Sequence, residues 1–128
     1  MADDRMKAGH FSWNELMTTD TDKSGKFLTE LLGWDTQEMP MPQGTYTVFK
    51  VGDAMVGGMM GITEDMGPMP PMWGSYVTVD DVDASAKKAE ELGGKIIVPP
   101  TDIPNVGRFC CVADPAGAGL NLITYSQS

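Results

Sequence analysis

The sequence predicts an α+β fold made of two βαβββ modules in tandem. Three observations carry this. Two amphipathic segments recur at a fixed offset. Asp20 opens DTDKSGKFLTELLG and Asp81 opens DVDASAKKAEELGG, each running thirteen positions to a glycine, Gly33 or Gly94, at an offset of 61 (81 − 20 and 94 − 33). Strand-like segments surround each helix in the same order. Between the halves lies Glu64 to Met72 (EDMGPMPPM), whose three prolines and one glycine oppose helix and most sheet pairing.

Taken in order, FSWNELMT alternates, with Leu16 on one face and Trp13, Glu15 and Met17 on the other. Asp20 is an N-cap, and Phe27, Leu28, Leu31 and Leu32 form the apolar stripe of the first helix. A short WDTQEM, then TYTVFKV, a turn at Gly52-Asp53 and AMVGGMMGI complete the first module. The second repeats the order: GSYVTV, a helix with stripe Val82, Ala86, Ala89 and Leu92, then KIIV, RFCCVA, a DPAG turn and GLNLITY. Either helix is expected to end on a glycine in the left-handed conformation. The Pro-rich VPPTDIPN reads as loop, because proline removes ladder donors. The chain thus divides into a first module at 11–62, a linker at 63–72 and a second module at 73–126, within one domain, 1–128.

One domain also suits 128 residues and 13.8 kDa, since domains most often run to roughly 100–150 residues. A formal charge of −9 repels phosphate backbones and anionic membranes, which argues against nucleic acid and lipid partners. No apolar run approaches the roughly 18–20 residues of a membrane span, and the start of the chain lacks a signal core. A soluble, cytoplasmic protein is expected. Cys110 and Cys111 are neighbours that a strand points to opposite faces, so they read as two reduced residues rather than a disulfide. With His10 the sole histidine and no CxxC spacing, a zinc site is out of reach for one chain. His10 precedes the first strand and reads as solvated. Eight of the eleven methionines lie between Met39 and Met72; they read as core filler with a loop, or as the lining of an adaptable cavity. Gly57-Gly58 is no phosphate loop, since no GK[ST] helix start follows, and it allows close approach of a ligand or strand. The acidic run Asp80, Asp81 and Asp83 lacks calcium-loop spacing and reads as helix capping.

The order, the repeat, Asp81-Val82-Asp83 entering a helix that ends Leu92-Gly93-Gly94-Lys95, and the closing Asp114-Pro115-Ala116-Gly117-Ala118 resemble the vicinal oxygen chelate superfamily. That group comprises glyoxalases, bleomycin-resistance proteins and extradiol dioxygenases. Trp13-Asn14-Glu15-Leu16, Thr19-Asp20 and Leu32-Gly33-Trp34 are similar to its glyoxalase-like branch. The resemblance implies two modules whose curved sheets wrap a cavity. In metal-dependent members it implies a divalent ion held by His, Glu or Gln from the first and last strand of each module. Carried over by counting seven from each capping or turn Asp, those positions are Trp13, Gly74, Met60 and Asn121. They are not a divalent-cation set, so no metal and no other cofactor is expected.

The same alternation places Trp13, Glu15 and Met17 in the expected cavity, with Tyr76 at the position of the repeat that matches Glu15. A carboxylate between Trp and Met is poorly solvated there, which raises its pKa and suits a general acid or base. The alternative is that Glu15 pairs with Lys50 or a backbone amide and is structural. The functional expectation is a protein that binds a small, largely apolar molecule through Trp13, Glu15, Met17, Met60, Tyr76 and Asn121. Two alternatives stand beside it: a metal-free enzyme using Glu15, or a metal-dependent lyase or dioxygenase with displaced ligands. A homodimer is expected, because sheet edges need covering and the Met-rich linker offers an adaptable contact.

Overall fold

The computed structural model describes residues 6–41, 44–64, 69–103 and 106–126, with Met41 described by its backbone alone. Residues 65–68 of the expected linker lie outside the described residues. The elements run β1 (Phe11–Thr18), α1 (Thr21–Leu32), β2 (Asp35–Met41), β3 (Gly44–Val51), β4 (Ala54–Gly61), β5 (Met72–Thr78), α2 (Val82–Glu91), β6 (Lys95–Ile103), β7 (Gly107–Ala113) and β8 (Gly119–Tyr125). This is the α+β order β-α-β-β-β twice over. The chain forms two compact units, Trp13–Gly74 and Ser75–Ser128 with Met1–Ser12.

In the Trp13–Gly74 unit the strand order is β2-β3-β4-β1, antiparallel except for the parallel β1–β4 pair. The helix that joins β1 into this unit starts where the Asp20 carboxylate accepts from the Lys23 N–H at 3.0 Å, satisfying a first-turn donor. It stops at Gly33, whose φ of 72° is the left-handed conformation glycine tolerates. The core is Leu16, Leu28, Phe49 and Met59, with Trp34 and Val56 packed against it. Trp34 and Phe49 pack with ring centroids 5.0 Å apart and their planes tilted by 39°. The expected four-residue stripe of α1 is only partly used. Leu28 is buried, whereas Phe27, Leu31 and Leu32 are exposed at 63%, 62% and 49%. A twelve-residue helix lying on one strand face buries a narrow seam, so a wide apolar arc leaves its flanks in solvent.

The second unit has the order β6-β7-β8-β5, with β5 and β8 parallel. Here Asp81 caps α2 by accepting from the Ala84 N–H at 3.2 Å. Val82, Ala86, Cys110 and Val112 form its core, while Leu92, expected in the stripe, is 68% exposed. The left-handed glycine after this helix is Gly93 (φ 92°) rather than Gly94. Gly94 is needed for a different reason: a Cβ there would press on the backbone oxygens of Ala113 and Ala89.

VPPTDIPN is not loop throughout, since Val98 to Ile103 continue β6. Among the described residues of this unit β6 pairs only with β7, and its register shifts between Ile96 and Val98 and again between Val98 and Thr101. Pro99 and Pro100 therefore sit at an irregularity on an outer strand, where missing donors cost no ladder bond. These shifts also move the repeat. Glu15 lies opposite Gly58 and Tyr76 opposite Asn121, separations of 43 and 45 residues (58 − 15 and 121 − 76). The offset of 61 holds through the first strand and helix and becomes 63 in the last strands. By pairing, Asn121 is the counterpart of Gly58, not of Met60 as a uniform offset implies.

Candidate functional site

Each sheet carries its helix on one face, and the residues singled out by counting lie on the other. In the first unit, Leu16 and Met59 are paired under α1, so Trp13, Glu15 and Met17 on β1 and Gly58 and Met60 on β4 point away from it. Trp13, Glu15, Met17 and Met60 are all half-buried. Met17 pairs with Met60, and Gln37, Val48, Gly58 and Glu15 form one row across all four strands. The Lys50 ammonium, one candidate partner for Glu15, donates to Gln37 Oε1 at 3.4 Å.

One polar side chain on this face escapes sequence reasoning. Tyr46 on β3 reaches across β4, and its hydroxyl accepts a hydrogen bond from Trp13 Nε1 at 2.8 Å. The path lies over Gly58, where a Cβ would overlap the Tyr46 phenol. Gly57 has a different neighbour, for a Cβ there would stand 3.1 Å from the Asn14 carbonyl oxygen of β1. The pair GG thus admits a side chain at one position and a strand at the next. A signal for Tyr46 existed in the alternation of Thr45, Tyr46 and Thr47 at the start of TYTVFKV, but nothing local linked it to Trp13, 33 residues away.

In the second unit Tyr76 and Asn121 are direct partners, and Val98, Cys111, Asn121 and Tyr76 make the corresponding row. Tyr76 is buried and meets Phe109 with centroids 6.2 Å apart. Cys110 points to the α2 side and is fully buried, while Cys111 is half-buried beside Asn121. A separate apolar groove of about 400 Å³ runs along the end of α2 and the β7–β8 turn, lined by Leu92, Val112, Pro115 and Leu120 among others. His10 is exposed, with Nδ1 at 3.3 Å from the Lys7 carbonyl.

The sequence profile of the Glyoxalase/Bleomycin resistance protein/Dioxygenase superfamily matches residues 7–122, nearly the whole chain. The chain belongs to this superfamily. Among similar proteins is the "Putative glyoxylase CFP32" of Mycobacterium tuberculosis, 42% identical over 118 residues, which cover 91% of this chain and 44% of that protein. Another is the "Anthracycline biosynthesis protein DnrV" of Streptomyces peucetius, 33% identical over 129 residues, or 91% of this chain and 47% of the other. The chain therefore spans less than half the length of these relatives. In structure it resembles methylmalonyl-CoA epimerase from Mycobacterium tuberculosis, with a TM-score of 0.64 at 13% identity, covering 96% of this chain and 91% of that one. A hypothetical protein from Bacillus halodurans gives a TM-score of 0.69 at 9% identity, with 93% and 96% covered. These likenesses show the fold.

The divalent ion implied for metal-dependent superfamily members does not fit the residues present. Trp13, Gly74, Met60 and Asn121 supply an indole, no side chain, a thioether and an amide. Replacing Met60 by its register-corrected counterpart Gly58 removes another donor. Hard and borderline divalent ions need imidazole, carboxylate or several hard oxygens. Among the described residues no group of three His, Cys, Asp or Glu is placed to hold a metal ion.

Proposed function

We propose that this superfamily member binds a small, largely apolar molecule on the helix-free faces of its sheets, without the metal centre of the metal-dependent branches. One observation supports it above the others. Trp13, Met17 and Met60 share a half-buried face with the Glu15 carboxylate and a tyrosine–tryptophan hydrogen bond. Apolar walls with a few placed polar groups are the usual make-up of a small-molecule site. Tyr76 and Asn121 supply the equivalent row in the second unit. The name of the Streptomyces relative makes anthracyclines the first ligands to screen.

Thermal melting tests this reading, since a ligand at 100 times its Kd adds about 2.7 kcal/mol to the folded state. A stabilising ligand whose effect is lost in Trp13→Ala supports it; a ligand that stabilises both forms equally refutes this face. Elemental analysis of dialysed protein is expected to find well under one equivalent of transition metal. A second reading rests on Glu15, half-buried between Trp13 and Met17 and opposite a glycine. There the carboxylate serves as a general acid or base in a metal-free reaction, and Glu15→Gln lowers turnover by roughly 10²–10⁴. Under the binding reading alone the same substitution leaves ligand affinity within a few-fold.

A further inference from the structure

We infer that Tyr46, admitted by the missing side chain at Gly58, locks Trp13 into a rigid platform, and that this platform selects flat aromatic molecules carrying no negative charge. The inference rests on the reading that this face binds small molecules and adds the ligand class and the residues that set it.

Any Cβ at Gly58 would collide with the Oη, Cζ and Cε2 of Tyr46, so only glycine lets the phenol cross β4. The phenol then ends at Trp13, accepting from Nε1 at 2.8 Å. Nε1–H is the indole's single polar group, and here it is satisfied from within the protein. What Trp13 has left to offer a ligand is its π-surface, held in one orientation by the bond. An oriented aromatic face binds best to another flat π-system, by offset stacking. Met17 and Met60, paired on the same face, add thioethers that favour aromatic ring edges.

Charge decides the remaining property. Glu15 lies on the same strand face two residues from Trp13; farther along that sheet face Lys50 stands opposite Asp35, leaving one carboxylate in excess there, and the chain carries −9 overall. An anionic ring system meets repulsion at both scales, whereas a neutral or cationic one is accepted or attracted.

Proflavine, a flat tricyclic cation, and anthracene-2-carboxylate, a flat tricyclic anion, test the proposal on the full chain. The ¹⁵N-indole resonances of Trp13, Trp34 and Trp73 report where each probe lands. Proflavine is expected to move the Trp13 resonance and to bind at least tenfold more tightly than the carboxylate. Tyr46→Phe deletes one hydrogen bond at nearly constant shape and is expected to weaken proflavine about three- to tenfold while the melting temperature changes little. Gly58→Ala, which displaces the phenol, is expected to do the same; if it does not fold, Tyr46→Phe decides alone. Wild-type affinity in folded Tyr46→Phe, or equal binding of the anion, overturns this inference and leaves the small-molecule face standing. Failure of every probe and of every ligand screened by melting to move the Trp13 resonance overturns the face itself.

Discussion

Cys110 and Cys111 are chemically identical neighbours in opposite surroundings. The first is wholly buried in the α2 core, and the second is half-buried beside Asn121. Burial pushes both thiols above their ordinary range. Around Cys110 the nearby Cys111 and Asp83 add to the effect, and at Cys111 a backbone hydrogen bond with Leu120 offsets part of it. Thiolate, not thiol, is the nucleophile, so both are unreactive near neutral pH. Iodoacetamide with mass mapping is expected to label neither at pH 7 and Cys111 first as pH rises; rapid labelling of Cys110 in the folded protein contradicts the assignment of faces. A raised thiol pKa means that the folded state holds its proton longer, so stability declines as pH climbs past the unfolded value of roughly 8.5.

At the scale of elements, α1 provides a direct contrast between burial and pattern. Leu28 and Leu31 belong to one apolar arc, yet only Leu28 enters the core with Leu16, Phe49 and Met59. Leu28→Ala is expected to cost about 2–5 kcal/mol in denaturant unfolding, and Leu31→Ala less than about 0.5 kcal/mol. Similar losses at both sites would mean that Leu31 is covered in solution. In the second unit Arg108 ties three elements together. Its Nε and Nη2 donate to the two Asp83 oxygens at 2.8 and 3.1 Å, and Nη1 donates to Asp102 at 2.9 Å, joining β7 to α2 and β6. The Arg108 hydrogen bonds hold the Asp83 carboxyl below its ordinary range. A depressed carboxylate contributes stability that is present above the unfolded pKa, roughly 3.9, and lost as pH falls below it. Arg108→Lys, which breaks the bidentate fork, is therefore expected to lower the melting temperature at pH 7 and to match wild type near pH 2. Much at this scale was legible in the sequence. Asp20, Asp81 and Gly33 act locally, through chemistry confined to one helix end, and the βαβββ order follows from periodicity. Pro99 and Pro100 misled because a rule about proline in ladders does not apply to the side of a strand that forms none. Tyr46 and the two-residue slip of the repeat depend on strand pairing between distant segments, which no local pattern encodes.

For the molecule as a whole, the feature that calls for a partner is an apolar surface on the first unit. Phe27 and Leu31 project from one side of α1 at 63% and 62% exposure, and Trp73, at 47%, stands across a groove of about 320 Å³ lined by Leu16, Lys23, Ser24, Phe27 and Leu28. Contiguous exposed aromatic and aliphatic side chains mark interfaces more often than bare solvent faces. We propose that a second copy of this chain covers them. Each copy bears −9, so the charges oppose association and apolar contact must exceed that repulsion. Salt screens charge and leaves apolar burial intact, which fixes the direction of a test. Sedimentation at micromolar concentration is expected to give a species of twice 13.8 kDa, tighter at 0.5 M salt than at 0.05 M. Phe27→Glu with Leu31→Glu is expected to yield a folded monomer, since neither side chain is in the core. A dimer that survives both substitutions places the interface elsewhere, with exposed Met72 near the Met-rich segment the next candidate. A wild-type protein that sediments only at 13.8 kDa at every salt concentration refutes the dimer outright.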